Sequence, residues 1–464
     1  MPAKRLLLFL TVAVLLLALA CKGGGGSHLP DLTPFDPEGL AKLHEIRDLA
    51  AEVRGIDPCE KVDEGTLTRE QLTAYYEENK AQISDKDRKE LDTMNKVLRL
   101  LHLIGPEVDL LESVTGMASS EIVGMYSYDE DKLVLVTDGE PNLDIDDEVT
   151  LAHEYVHCFQ DAAFDFKRLG KLEEKEDKNK ANTEYSTTIE ALMEGDATIS
   201  SISYAGANLG EEGFYDWINS AGEASSGDKE DSYPPFLERS FSFPYDQGAD
   251  FALYLWQKGG WEELNKAYDN PPSTTEQILH PEKYLAGEEA EDLKLPDLSD
   301  NLGEDWEQLS DDVFGEFDVY NWILTLQGSV DEDDDDDDDD ELASQVAAGW
   351  GGGRIGVYSN KDDPERALVH IVLTWDTPDD ASQFLIGYII TLGSVLDLGD
   401  PEYWYSGSNG PYVWHGEDEH MYMVIEKRAL TLLVGTNLAD VNKAVDVMQL
   451  PKPVVAPPLL PVAP

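Results

Sequence analysis

His153-Glu154-Tyr155-Val156-His157 sets two imidazoles four residues apart around a glutamate. On a helix, positions i and i+4 share one face, so both rings can aim a nitrogen at one zinc ion. Glu154 then reaches the water on that ion rather than the ion itself. Zinc lowers the pKa of such a water toward ~7, and the glutamate takes its proton as it attacks a carbonyl. A tetrahedral catalytic zinc also needs a third protein ligand and an open position. Glu190 and Glu194, again four apart, share a face of a second predicted helix, Thr183 to Ala205, and either could supply it.

These residues need elements to hold them. Asp146-Asp147-Glu148 puts acid in the first turn of a helix predicted over 147–162, where the helix dipole favours it. Upstream, Ile122 to Tyr126 and Leu133 to Val136 flank Asp129-Glu130-Asp131 and read as two strands joined by a polar turn. Residues 37–112 read as helices throughout. The charged stretch 167–180 reads as an inserted surface loop. Phe243 to Gly260 and Trp261 to Tyr268 read as helices broken at Gly259-Gly260. Ser273 to His280 is a short helix closed by Pro281, and Asp311 to Gln327 is another helix.

Asp331 to Glu341 is eleven consecutive acids, expected as a solvated, disordered insertion over 328–341. Beyond it, residues 354–358, 367–375, 421–426 and 430–435 read as strands, and 381–391 and 441–448 as helices. The fold class is therefore α+β. A mainly helical domain with a small β-sheet spans 31–327, a smaller α+β domain spans 342–450, and a Pro-rich tail spans 451–464.

Composition narrows the function. The 464 residues carry 34 Lys plus Arg against 95 Asp plus Glu, a formal charge of −61. Nucleic acid is excluded as a partner of the folded part, because like charges repel. With 41% hydrophobic residues the chain can build sizeable cores. Three cysteines rule out a disulfide-dense scaffold and a four-thiolate zinc site.

The constellation resembles the gluzincins, the thermolysin and aminopeptidase N branch of HExxH metallopeptidases. Aminopeptidase N relatives take their third ligand from the glutamate of an E-G-x-A stretch, and this chain has Glu194-Gly195-Asp196-Ala197. Thermolysin relatives show a ligand glutamate followed by alanine and, four residues on, an acid, a frame that Glu190-Ala191 with Glu194 also fits. The resemblance makes the first domain zincin-type. It favours Glu194 as ligand, with Glu190 orienting a histidine. Pro244-Tyr245-Asp246-Gln247-Gly248 is similar to the family's P-Y-E-K-G, whose tyrosine hydroxyl stabilises the oxyanion, so Tyr245 is the candidate here. His280 is a second candidate for that role.

One family feature is missing. The G-x-M-E-N strand that binds a free amine is replaced by Gly124-Met125-Tyr126-Ser127, so exopeptidase specificity does not carry over. That hairpin could still offer an edge strand to an extended peptide. Over residues 90–450 the chain also resembles a set of uncharacterised exported proteins of bacteria and haloarchaea. The implied function is a Zn2+-dependent metallopeptidase acting on a peptide or protein substrate. The alternative is a non-catalytic surface structural or binding lipoprotein on a zincin scaffold.

The front end reads as an address. Lys4 and Arg5 precede an apolar run, Leu6 to Ala20, shorter than the ~20 residues of a bilayer span. Leu17-Ala18-Leu19-Ala20-Cys21 resembles a lipobox, which implies cleavage after residue 20, lipid on Cys21 and a glycine-rich tether over 21–30. The expected location is the cell envelope, lipid-anchored and facing outside the cytoplasm. Cys59 and Cys158 then remain, either paired by an oxidising compartment or as two buried thiols.

Overall fold

A computed structural model describes residues 28–452, apart from 60, 138, 140–142, 170–182, 226–232, 329–336, 364, 396–410 and 417–418. The expected signal, Cys21, most of the tether, most of the acidic run and the tail beyond 452 lie outside the described residues.

The α+β class holds. Helix Pro37–Arg54 opens the first part, with the Asp36 carboxylate accepting from the Glu38 and Gly39 N–H groups. The stretch expected to continue as helix is interrupted by a strand, β1 (Asp63–Leu67). β1 pairs in parallel with β3 (Lys132–Val136), whose other neighbour is the antiparallel edge strand β2 (Gly124–Ser127). Five residues with no clear alternation gave β1 little signal in sequence. Tertiary contact makes it a strand. At Gly65 any Cβ would sit 2.6 Å from Leu32 Cβ and 2.8 Å from the Thr33 carbonyl oxygen. The incoming chain lies directly on it.

β3 is covered on both faces. Leu133 and Leu135 pack with Leu151, Ala152, Tyr155 and Phe159 of helix Ile145–Phe164, while Val134 and Val136 join the larger core. That helix begins where the acids predict, its Asp144 side chain accepting from the Asp146 and Asp147 N–H groups. A disulfide between Cys59 and Cys158 ties it to the segment before β1. Helix Thr183–Asn208 follows, and then helix Pro235–Asp269, which starts earlier than the sequence suggests and loses helical geometry at Gly259 and Gly260, as their pairing predicts.

The second part is a six-stranded antiparallel sheet. Its strands are β4 (Trp306–Val313), β5 (Trp350–Asn360), β6 (Ala367–Trp375), β7 (Tyr412–His415), β8 (His420–Glu426) and β9 (Ala429–Gly435). They run in the order β4-β5-β6-β9-β8-β7. Two expectations are corrected here. The edge strand β4 precedes the acidic run, so the unit does not begin at residue 342, and helix Glu316–Gln327 starts five residues later than expected. Acids are poor strand formers, and Asp311-Asp312 hid β4. The end of the acidic run is also ordered, since Asp337 to Glu341 open helix Asp337–Ala347, where the dipole favours negative charge. Helix Pro378–Val395 packs on one sheet face with Trp322, Trp350, Trp375, Phe384 and Tyr388, and helix Leu438–Val447 on the other. Among the described residues no helix is long and apolar enough to cross a membrane.

His370, on β6, is fully buried, and neither ring nitrogen has a hydrogen-bond partner among the described residues. Burial pushes its pKa down to about 4. The unfolded chain, with a histidine near ~6.5, binds the extra proton between these values, so this residue costs stability as pH falls through that window, by about 3 kcal/mol in all. His370→Leu is expected to stabilise the protein by ~1 kcal/mol at neutral pH and by more at pH 5, read from urea unfolding at both. An equal effect at the two pH values would contradict this reading.

Candidate metal centre

Helix Ile145–Phe164 aligns His153 and His157 on one face, and helix Thr183–Asn208 brings Glu194 to them. The Nε2 atoms of His153 and His157 lie 3.1 Å apart, and Glu194 Oε2 lies 3.0 Å from the first and 3.2 Å from the second. A tetrahedral zinc with bonds near 2.0–2.1 Å has ligand edges of about 3.3–3.4 Å. The observed triangle is close to one face of that tetrahedron, and nitrogen, nitrogen and carboxylate oxygen form a donor set suited to zinc. The residues fit the ion.

Electrostatics favour positive charge between these atoms. Burial pushes the Glu194 carboxyl up, but the His157 and His153 rings beside it hold it well below the usual range. Burial presses the His157 ring down, and the Glu194 charge and hydrogen bond outweigh it and lift it to about 9. Gln160, one turn on from His157, accepts from Nδ1 at 3.0 Å while its own amide donates to the Met193 carbonyl at 3.0 Å. That second bond fixes which way the amide points. It leaves a proton on Nδ1 and fixes the ring with Nε2 facing Glu194. The orienting contact on His157 thus comes from Gln160, which the sequence reading missed although its i+3 spacing placed it on the right face. Glu190 is buried one turn before Glu194, where its charge acts on Tyr245.

The glycine after Glu194 has a packing reason. A Cβ on Gly195 would meet the Gly248 carbonyl oxygen at 2.0 Å, and a Cβ on Gly248 would meet the Ala191 oxygen at 2.3 Å. Two glycines let helices Thr183–Asn208 and Pro235–Asp269 cross backbone to backbone. Tyr245, three residues before Gly248, is carried to the cluster by that crossing. Its ring stacks at 6.1 Å from that of His153. Burial, together with the charges of Glu194, Glu154 and Glu190, keeps the phenol protonated well beyond its ordinary range, so it is held as a donor. Two residues on from Glu194, the buried Asp196 is clamped by Arg54 at 2.6 and 2.9 Å and by the Tyr268 hydroxyl at 2.8 Å. This ties helix Pro37–Arg54 to the glutamate helix.

Glu154 is buried against the edge strand. A Cβ on Gly124 would stand 2.7 Å from Thr150 Cγ2 and 3.0 Å from Glu154 Cγ, so β2 reaches the helix only because that residue has no side chain. Burial raises the Glu154 pKa, the neighbouring Glu194 adding to it, while both histidines and the Tyr126 backbone N–H oppose the rise. The sequence hinted at a peptide-binding role for this strand but not at its packing on Glu154.

His280 is engaged elsewhere. Its Nε2 lies 3.0 Å from Glu316 Oε1, and the charges acting on it are Glu316, Lys283 and Glu276, none of the three candidate ligands. Among the described residues no hydrogen bond or ion pair joins it to the cluster. A second carboxylate group, Glu276, Glu288 and Asp376, surrounds the Lys283 ammonium at 2.6–3.0 Å, so a cation of the chain's own already sits among them.

Residues 305–445 match a family described as a domain of unknown function (DUF8575). The match begins at β4 rather than at residue 342, in step with the sheet. No curated protein and no solved structure matches the chain.

Proposed function

We propose that this protein is an envelope-anchored zinc metallopeptidase that hydrolyses peptide bonds. The observation carrying the proposal is the convergence of His153, His157 and Glu194, with Glu154 and Tyr245 beside them. Zinc held there would act as a Lewis acid toward water and a carbonyl oxygen. Glu154, buried and flanked by the two histidines, accepts the proton of the attacking water and hands it to the departing amide nitrogen. The Tyr245 hydroxyl donates to the oxygen that gains negative charge. β2, at the edge of its sheet, lends main-chain groups to an extended peptide.

A scaffold that merely used zinc for structure would have no need of a buried carboxylate between the ligand histidines. The leader sequence supports the envelope location, and the Cys59–Cys158 disulfide suits an oxidising compartment.

Cleavage-site profiling of purified, zinc-loaded protein against a peptide mixture tests the activity. Discrete cleaved bonds that vanish with a chelator are expected, and no cleavage with zinc bound would favour the scaffold reading. Zinc affinity separates the two glutamates. Glu194→Ala is expected to weaken binding more than about a hundredfold and Glu190→Ala by no more than about tenfold. The reverse order would overturn the ligand assignment.

A further inference from the structure

The β7–β8 hairpin closes the sheet edge with His415 and His420 directly opposed across the two strands. Directly opposed residues point to the same face, so the rings meet. Their Nδ1 atoms lie 3.3 Å apart, with ring planes at 65° and centroids 5.4 Å apart. For a neutral pair sharing one proton this is long, since N–H hydrogen bonds run about 2.7–3.2 Å. For two nitrogens bound tetrahedrally to one metal at about 2.0–2.1 Å the edge is about 3.3–3.4 Å, and the square arrangement of copper(II) needs the rings to close to about 2.9 Å.

The pair is also held in place. The Gly416 N–H donates to the Glu419 carbonyl at 2.7 Å, and Glu419 Oε2 lies 2.7 Å from His102 Nε2. His420 is paired through β8 to both β7 and β9. His415 is exposed and His420 half-buried. The surrounding charge of the molecule, −61, concentrates cations near its surface.

We propose that His415 and His420 form a second metal site, a two-imidazole chelate for a divalent ion of the copper, nickel and zinc group. Imidazole donors favour these ions over calcium and magnesium, and the Irving–Williams order puts copper(II) first. The site lies on the six-stranded sheet, whereas the His153–His157–Glu194 cluster is held by two helices, and it stands whether or not that cluster is catalytic.

The test uses full-length protein already loaded with one zinc, titrated with copper(II) alone and followed by electron paramagnetic resonance. One further equivalent is expected, with hyperfine structure from two imidazole nitrogens. His415→Ala and His420→Ala should each weaken that equivalent by roughly tenfold or more, the effect of losing one strong ligand. Neither should release the first zinc. His28→Ala, removing another exposed histidine, should leave it unchanged. Three results would overturn the proposal: no second equivalent in the unmodified protein, an equivalent that survives loss of either hairpin histidine, or the same loss in the His28 variant.

Discussion

Glu154→Gln is expected to leave zinc bound and to lower peptide hydrolysis by about 10²–10⁴-fold, the usual worth of a positioned general base. Glutamine has the same shape, so the packing of Thr150 and Glu154 against Gly124 persists. What disappears is the acceptor for the proton of water. His153, His157 and Glu194 are untouched, so metal content measured beside activity should remain at the level of the unmodified protein. Hydrolysis retained at the original rate would remove Glu154 from the mechanism. Loss of metal together with activity would show that the glutamate supports the ion rather than the proton transfer.

The second large effect concerns stability. The Cys59–Cys158 bond spans 99 residues of chain and enters the motif helix one residue after His157. Closing a loop of about that length removes enough unfolded-state entropy to be worth about 4–5 kcal/mol in the chain-entropy description. Both cysteines are buried, in a cluster with Leu43, Ile46, Tyr155 and Phe159. Cys59→Ala with Cys158→Ala should therefore lower the urea midpoint strongly, and a reductant should do the same to the unmodified protein but not to the double variant. A shift below ~1 kcal/mol would mean that packing in this cluster, not the crosslink, holds helix Pro37–Arg54 to the motif helix.

The sequence revealed the site's chemistry more clearly than its assembly. His153, Glu154 and His157 follow from helical spacing, and the helix forms where Asp144 to Glu148 cap it. Glu194 and Tyr245 could be named because their stretches resemble those of a known family. What brings them together is the close crossing at Gly195 and Gly248, a tertiary fact in which two glycines 53 positions apart matter only as a pair. Gln160 was within reach, being one turn from His157, but a glutamine carries no charge to draw attention. β1 and β4 were hidden for different reasons. β1 is five residues defined by its neighbours, and β4 is a strand written with acids. His280 was the second oxyanion candidate in the sequence. The structure gives it a carboxylate partner, Glu316.

The most direct measurement is a crystal structure of the zinc-loaded protein with anomalous scattering recorded at the zinc edge. One peak is expected between His153 Nε2, His157 Nε2 and Glu194 Oε2, at about 2.0–2.2 Å from each, with a fourth position open to solvent. A peak bound by Glu190 in place of Glu194, or no ion shared by the two histidines, would contradict the account.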